Sequence, residues 1–370
     1  MRVALINTSF RFFGGAETML LYALEEFQRR DAAITIAAVE GSPLWKRLPD
    51  GPRRIALPNN EQFSIRGLLN QLGAMQDLGK PEIVHGWTAR DWELVSLFAL
   101  THRAIAIGSL HDHPRAEFIS PKRQRLMRAM SQIGLKRTIC VSDAVRKACH
   151  NAGYTEGKLT VIRNGLPDSE EWSRPPRQED APHMRMGFLG VISKRKGVLS
   201  LFEALDPIAS KPQVPSFELH IAGEAQDEEG QQILETIRSR YDRRPWWNRV
   251  QWIGWTSNPR EFLKGLDLLI APSISFDPFP TVLLESGFAG VPALACRVGG
   301  VEEIVRHNET GWTYDAGDQE EFTERLNAAL HDRHQLTTMG QRAALHVRAK
   351  YTVGEMVDRY LELYQSIGAR

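Results

Sequence analysis

The chain has 370 residues, a length that suits two domains better than one core. Hydrophobic residues make up 42% and charged residues 25%, the balance of a soluble globular protein. Lys and Arg total 46 against 45 for Asp and Glu, so the formal charge of +1 gives no global field of the kind that marks a nucleic-acid-binding protein.

The cysteines and the apolar runs of the sequence indicate where in the cell the protein is expected to lie. Cys140, Cys149 and Cys296 occur without a CxxC pair or a neighbouring histidine pair, which favours reduced thiols and argues against a zinc site. Residues Met1–Asn7 become polar too early for a signal peptide and are predicted to form a strand. Since no run reaches the roughly 20 apolar residues that span a bilayer, we expect a cytoplasmic protein whose contact with a membrane would be peripheral, on its inner face.

Short apolar runs alternate with helical stretches over the first half, a pattern typical of parallel βαβ units. The strand-like runs are Val3–Asn7, Ile34–Val39, Ile83–Gly86, Ala104–Leu110, Thr138–Val141 and Leu159–Ile162. Helices are predicted between most of them, for example over Glu17–Arg29 and Asp143–Asn151. Ligands of such sheets bind at the carboxyl ends of the strands, so the residues that follow each strand are the candidates for function.

Two glycines open the first predicted helix. Gly14 and Gly15 precede Glu17, and paired glycines at this place allow a close backbone approach to an anion. The simpler interpretation is a turn in which Glu17 caps the first helical turn. The spacing differs from the GxGxxG of dinucleotide-binding proteins, which disfavours a nicotinamide-dependent oxidoreductase.

Histidines end two strands at the predicted ligand-binding edge. His85 closes the run Ile83–Gly86, and His111 follows Ile107–Leu110. A single histidine at a strand end is usually a packing residue, but two at one edge favour a functional role, more for His111 than for His85.

A basic amphipathic helix is predicted within residues 119–137. It combines Lys122, Arg123, Arg125 and Arg128 with Leu126, Met127, Met130 and Ile133. An ordinary surface helix with a solvated basic face explains the pattern. Contact with an anionic membrane surface, or with a lipid-phosphate acceptor, is the functional alternative.

The second half repeats the βα pattern after a linker. Residues 166–183 are rich in proline and charge and lack apolar periodicity, which predicts a linker between a first domain over 1–165 and a second over 184–350. The later strand-like runs are Met186–Leu189, Phe217–Ala222, Val250–Ile253, Leu266–Ala271, Pro292–Cys296 and Gly311–Tyr314. Lys194, Arg195 and Lys196 follow the first of these runs, where they suit either a diphosphate clamp or a plain basic surface loop.

Two carboxylates flank the start of a short helix predicted over Thr281–Ala289. Pro280 suits its first turn, and Gly290 suits its end. Asp277 precedes the helix, and Glu285 lies about one turn inside it. Since carboxylates beside a helix N-terminus repel phosphate, we expect them to hold the hydroxyls of a sugar or a ribose.

The segment D-P-F-P-T-V-L-L-E-x-x-x-A-G-V-P resembles the E-x7-E motif of the retaining family-4 glycosyltransferases, here as Asp277-x7-Glu285. A capped helix with two solvated acids is the alternative interpretation. The resemblance extends over nearly the whole chain. It implies the α/β fold called GT-B, in which two doubly wound Rossmann-like domains face a central cleft. It also implies that the C-terminal helix, residues 351–370, packs back on the N-terminal domain.

The resemblance also implies roles for individual residues. His111, in Leu110-His-Asp112, would position the sugar and stabilise the transition state, while Asp277 would hold the sugar hydroxyls, Glu285 the ribose and Lys196 the diphosphate. Further substrate-binding candidates are Gly14, Gly15, Arg195, Glu224, Phe279, Thr281, Gly299 and Gly300. Three positions depart from the family pattern: Val191 replaces an arginine, Asp277 a glutamate and Pro280 a glycine.

The resemblance implies transfer of a hexosyl or N-acetylhexosaminyl group, with retention, in polysaccharide biosynthesis. The donor would be a UDP- or GDP-linked sugar, and the acceptor a hydroxyl of a glycan, lipid-linked or small molecule. We expect no cofactor and, given the near-neutral charge, no nucleic-acid partner. The sequence contains no Asp-x-Asp triplet, so we expect no metal ion at the leaving group. The alternatives are a non-catalytic GT-B subunit that binds a partner or acceptor, and an epimerase or phosphorylase that acts on related substrates.

Overall fold

The computed structural model describes the chain as two compact units. The described residues are 1–11, 13–62, 64–172, 174 and 183–368. The first unit combines Met1–Pro167 with Tyr351–Arg370, and the second comprises Asp168–Lys350. Much of the predicted linker, residues 173 and 175–182, lies outside the described residues.

The first unit contains a seven-stranded parallel sheet in the order β3-β2-β1-β4-β5-β6-β7. Its strands are β1 Val3–Asn7, β2 Ile34–Val39, β3 Arg53–Leu57, β4 Ile83–Gly86, β5 Ile105–Leu110, β6 Arg137–Cys140 and β7 Leu159–Val161. Its helices are α1 Gly15–Arg29, α2 Ile65–Ala74, α3 Trp92–His102, α4 Pro121–Ala129, α5 Asp143–Asn151 and, from the far end of the chain, α13 Val353–Gly368. The predicted strands are confirmed to within one residue at each end. Strand β3 was missed because it lies at the sheet edge and begins with two arginines.

The last helix completes the first unit. Phe27 on α1 packs against Tyr360 and Tyr364 on α13, with ring centroids 6.4 and 6.3 Å apart. The chain re-enters this unit beside the point where it left, because the Leu166 N–H donates to the Tyr351 carbonyl at 2.9 Å. The aromatic stripe of the C-terminal segment is therefore a packing face.

The second unit contains a six-stranded parallel sheet in the order β10-β9-β8-β11-β12-β13. Its strands are β8 Met184–Leu189, β9 Phe217–Ala222, β10 Val250–Gly254, β11 Leu268–Ala271, β12 Ala293–Cys296 and β13 Gly311–Tyr314. Its helices are α6 Val198–Ala209, α7 Glu228–Tyr241, α8 Pro259–Lys264, α9 Thr281–Phe288, α10 Val301–Ile304, α11 Gln319–His331 and α12 Arg333–Lys350. The chain thus has the predicted α/β class, with two Rossmann-like units built on parallel sheets.

In both sheets the strand order reverses at one central pair of strands. The pair is β1 and β4 in the first unit, and β8 and β11 in the second. Loops that leave the carboxyl ends of such a pair diverge to opposite faces and open a crevice, the usual ligand site of doubly wound sheets.

Among the described residues, the helices are too short or too polar for any of them to cross a lipid bilayer.

Candidate active site

The carboxyl edge of β8 and β11 brings Lys196 and Asp277 together. Lys196 ends a short 3-10 turn after β8, and Asp277 lies in the loop between β11 and α9. The Lys196 Nζ donates to Asp277 Oδ2 at 2.8 Å, and Arg195 Nη1 lies 4.0 Å from the same oxygen. Asp277 is only 6% exposed. Two residues 81 positions apart in the sequence therefore form one charged centre.

Gly299 and Gly300 hold the backbone of Asp277. Gly299 has a φ of +58°, and a Cβ placed on it would lie 1.9 Å from the Asp277 carbonyl oxygen. The Gly300 N–H donates to that carbonyl oxygen at 2.9 Å. The paired glycines are therefore required for close packing of two loops. Gly300 is one of the predicted substrate-binding residues, but its N–H is already bonded within the protein and is not available to a nucleotide sugar.

Helix α9 presents the rest of the predicted motif. It begins at Thr281, the predicted first residue. Pro280 is the N-cap and so lies just before the first helical turn, in which it is predicted to lie. Gly290 ends it with a φ of +67°, and the Val291 N–H donates to the Ser286 carbonyl at 2.9 Å, as in a Schellman motif. Phe279 is buried beside the loop, and Thr281 is half-buried in the first turn.

Glu285 lies on α9, one turn inside the helix, and is half-buried. Loss of solvent raises the pKa of this carboxyl to about 7, and the positive charge of Arg260 opposes the rise. Arg260, on α8, stacks over the Trp172 ring at 4.6 Å. Near neutral pH the Glu285 carboxyl can therefore both accept and donate a hydrogen bond, which suits a hydroxyl ligand.

Glu224 follows β9, one strand away from the central pair, and is exposed. Its Oε1 accepts the Trp255 N–H at 3.2 Å, which joins the loops after β9 and β10. This bond gives Glu224 a structural contact at the ligand edge and leaves a second oxygen for other partners.

In the first unit, Gly14 and Gly15 start helix α1 through a cap. The Gly14 N–H donates to Glu17 Oε2 at 3.0 Å, and Glu17 is buried. The structure therefore contains the capping turn that was the simpler interpretation of this segment. An anion at this helix start would have to use amides other than that of Gly14.

His111 follows β5 and lies beside Trp87, which follows β4. Their ring centroids are 5.8 Å apart. Burial lowers the pKa of His111 to about 4. A hydrogen bond with the Trp87 backbone raises the pKa, but by less than burial lowers it. Its Nε2 is buried and makes no hydrogen bond within the described part of the chain. His111 is thus a neutral imidazole with one uncommitted ring nitrogen.

His85 is a packing residue. It is fully buried; its Nδ1 lies 2.8 Å from the Tyr364 hydroxyl, and its Nε2 lies 2.8 Å from Ser109 Oγ. Burial lowers its pKa to about 3, with a smaller effect of the neighbouring His111. Both ring nitrogens have hydrogen-bond partners within the protein, which favours the packing role over the functional role for this histidine.

Asp91 is a buried residue of the β1–β4 edge that sequence reasoning missed. Its carboxylate accepts the N–H and the hydroxyl of Thr8, at 2.8 and 2.7 Å, and those of Thr88, at 2.7 and 2.9 Å. Burial raises its pKa to about 6 although all four bonds lower it. Asp91 thereby joins the loops that follow the two central strands. The only sequence signal was an acid shortly after a strand end.

The basic segment is helical over Pro121–Ala129 and continues as a π turn over Met130–Gly134. Arg123 is half-buried, pairs with Glu93 and donates to the Ala89 carbonyl. The exposed face mixes cations with apolar side chains, namely Phe118, Lys122, Arg125, Leu126, Arg128 and Ile133.

Comparisons with known proteins cover both units. Residues 13–170 match the family model described as Glycosyltransferase Family 4, and residues 170–346 match the model described as Glycosyl transferases group 1. The lipopolysaccharide core biosynthesis glycosyltransferase LpsE of Rhizobium meliloti (strain 1021) is 24% identical over 363 residues, which cover 95% of this chain and 96% of that one.

Two further proteins are similar over almost their full lengths. The UDP-Gal:alpha-D-GlcNAc-diphosphoundecaprenol alpha-1,3-galactosyltransferase of Escherichia coli is 21% identical, covering 95% of this chain and 93% of that one. The crystal structure of Anabaena Alr3699/HepE in complex with UDP superposes with a TM-score of 0.84 at 20% identity, covering 99% and 100% of the two chains. The fold is therefore GT-B. Two glycosyltransferase family models thus match successive parts of the chain over residues 13–346, and the chain is similar over nearly its full length to the glycosyltransferases named above.

Proposed function

We propose that this protein is a retaining glycosyltransferase that moves a hexosyl or N-acetylhexosaminyl group from a nucleotide diphosphate sugar to an acceptor hydroxyl. The observation that carries the proposal is the centre at the β8–β11 edge, where Lys196 Nζ lies 2.8 Å from Asp277 Oδ2. A cation for a diphosphate and a carboxylate for sugar hydroxyls stand here at the expected ligand edge of a parallel sheet.

In this proposal the charge of the leaving diphosphate is stabilised by Lys196, with Arg195 in support, and no metal ion is required. Arg195 is about half exposed, so it can turn toward a ligand, whereas Lys196 is less exposed and is paired with Asp277. Glu285 binds the ribose, and His111, neutral at physiological pH, accepts or donates a hydrogen bond at the transferred sugar.

The donor we favour is UDP-linked, with GDP-linked sugars as the second choice. The similar Anabaena protein was crystallised with UDP, and the E. coli relative is named for transfer from UDP-Gal. For the acceptor we favour a lipid-linked glycan in the cytoplasm, at the membrane surface. The names of the two relatives, which refer to lipopolysaccharide core and to a diphosphoundecaprenol-linked sugar, support this choice.

The exposed face of residues 118–133 supports a peripheral membrane contact. Phe118 and Ile133 are 75% and 80% exposed, and Lys122, Arg125 and Arg128 are exposed among them. Apolar side chains interleaved with cations suit the surface of an anionic bilayer, where the cations meet headgroups and the apolar groups enter the interface.

Calorimetric titration with UDP, GDP and ADP tests the donor, first in EDTA and then with Mg²⁺. We expect one nucleotide, UDP, to bind equally in both conditions, and Glu285→Ala to weaken that binding. Failure of all three nucleotides to bind would favour a non-catalytic subunit. Undiminished affinity in Glu285→Ala would refute the ribose assignment.

A further inference from the structure

The diphosphate cation of the proposed site is already paired with a carboxylate of the protein itself. Lys196 Nζ and Asp277 Oδ2 are 2.8 Å apart, with side chains 20% and 9% exposed. A buried ion pair of this kind resists separation, because removing one partner leaves the other as an uncompensated charge. A diphosphate that approaches the ammonium group therefore meets the negative charge of Asp277 beside it.

The backbones on both sides of this ion pair are fixed. The Asp277 carbonyl accepts the Gly300 N–H at 2.9 Å, and the Gly299 backbone packs directly against it. The Ile274 N–H donates to the Arg195 carbonyl at 3.0 Å, which fastens the two loops to each other. The competition therefore involves rotation of side chains and not movement of a loop.

We propose that Asp277 is an internal anion that makes the site discriminate between the intact nucleotide sugar and the nucleoside diphosphate product. This inference rests on the proposed function. When the donor binds, Lys196 exchanges Asp277 for the diphosphate, and the released carboxylate accepts hydrogen bonds from the sugar hydroxyls. The cost of breaking the pair is thereby offset only by a ligand that still carries its sugar.

Product release follows from the same exchange. After transfer the sugar has left with the acceptor, and Asp277 is a nearly buried carboxylate without its hydroxyl partners. Such a group is costly to leave unpaired. It regains a partner by returning to Lys196, which weakens the hold of the site on the nucleoside diphosphate.

The test measures binding of UDP, in EDTA, to the wild-type protein, Asp277→Asn, Asp277→Glu and Asp318→Asn. The asparagine variant keeps the shape of the side chain and removes the competing charge, so we expect it to bind UDP about tenfold more tightly. Asp277→Glu keeps the competing charge, so it should not show the tenfold gain of the asparagine variant. Asp318 caps α11 by accepting the Glu321 N–H at 2.8 Å, so Asp318→Asn removes one charge from the same unit and keeps the cap. It should resemble the wild type.

A second titration, with UDP-glucose, UDP-galactose and UDP-N-acetylglucosamine, measures discrimination. The wild type should prefer one of these sugars over UDP, and Asp277→Asn should lose that preference. If UDP binds the wild type but binds Asp277→Asn equally or more weakly, this inference is wrong and the proposed function stands. If UDP does not bind the wild type, the proposed UDP-linked donor is wrong, and the inference fails with it. Thermal unfolding of each variant checks that the fold is kept.

Discussion

The Nδ1 atom of His85, in the middle of the first sheet, lies 2.8 Å from the hydroxyl of Tyr364, about one turn before the end of the last helix. A residue of β4 is thus joined to one that follows it by 279 positions. The bond is fully buried, so the last helix contributes a polar contact as well as aromatic packing to the first unit.

Removing the hydroxyl should destabilise the protein. Tyr364→Phe leaves the buried His85 nitrogen without a partner, and we expect the free energy of unfolding to fall by about 1–3 kcal/mol. Ser366→Ala, at an exposed site of the same helix, is the control and should change it by less than about 0.5 kcal/mol. Urea titration of both variants makes the comparison. Equal stability of the two would show that the bond contributes nothing.

His111 should make the fold sensitive to acid. Its pKa is lowered to about 4 in the folded chain, whereas an unfolded histidine titrates near about 6.5. Between these values the unfolded state binds more protons, so stability falls as the pH falls through this window. We expect His111→Gln to reduce the loss of unfolding free energy between pH 7 and pH 5 by about 1–2 kcal/mol. Identical pH profiles would contradict the depressed pKa.

The Asp91 network should be intolerant of an amide. Asn in place of Asp91 offers one acceptor oxygen and an NH₂ group that faces the N–H of either Thr8 or Thr88. We expect Asp91→Asn to lower the free energy of unfolding by about 1–3 kcal/mol, since the buried N–H that faces the NH₂ group loses its acceptor. Thr88→Ser keeps its hydroxyl and is the mild control, while Thr88→Val removes one donor and should be intermediate.

Glu285 should make nucleotide binding depend on pH. Its pKa lies at about 7 in the folded chain, and ribose hydroxyls donate most strongly to the ionised carboxylate. Affinity for UDP should therefore rise from pH 6 to pH 8 more steeply in the wild type than in Glu285→Gln. Comparing the two slopes cancels the ionisation of UDP itself. Parallel slopes would mean that this carboxyl does not touch the ligand.

Charge reversal on the exposed basic face should release the protein from anionic vesicles. We expect Lys122→Glu/Arg125→Glu to lose about 1 kcal/mol of binding to phosphatidylglycerol vesicles for each cation removed. Lys211→Glu/Arg238→Glu makes the same change of charge at exposed sites of the second unit. Co-sedimentation compares the two double variants. Equal loss in both would mean that net charge, and not this face, governs binding.

The sequence was sufficient for the strands that lie inside the sheets. Buried parallel strands are nearly continuous apolar runs, so Val3–Asn7 and Ile34–Val39 could be delimited to the residue. Strand β3 was missed because it lies at the sheet edge and begins with Arg53 and Arg54, so that it does not form an apolar run of strand length.

The contacts of the candidate site were harder to predict than its members. The sequence named Lys196 and Asp277, but the pairing of their side chains depends on the approach of the two loops that carry them, where the Ile274 N–H donates to the Arg195 carbonyl. The structural role of Asp91 was not predicted, because it depends on hydrogen bonds with Thr8, which lies 83 residues away in the sequence. Long-range pairing of polar groups leaves no local periodicity in a sequence.

The return of the chain at Tyr351 makes the second unit an insertion within the first. Its entry and exit lie side by side, because Leu166 bonds to Tyr351 and pairs with Thr352. A Cβ on Gly165 would lie 2.2 Å from the Thr352 carbonyl oxygen, so the two passages of the chain are in direct contact. The segment between Asp168 and Lys350 is therefore a cassette. It could be exchanged for the corresponding segment of a relative at two adjacent junctions, without cutting either sheet.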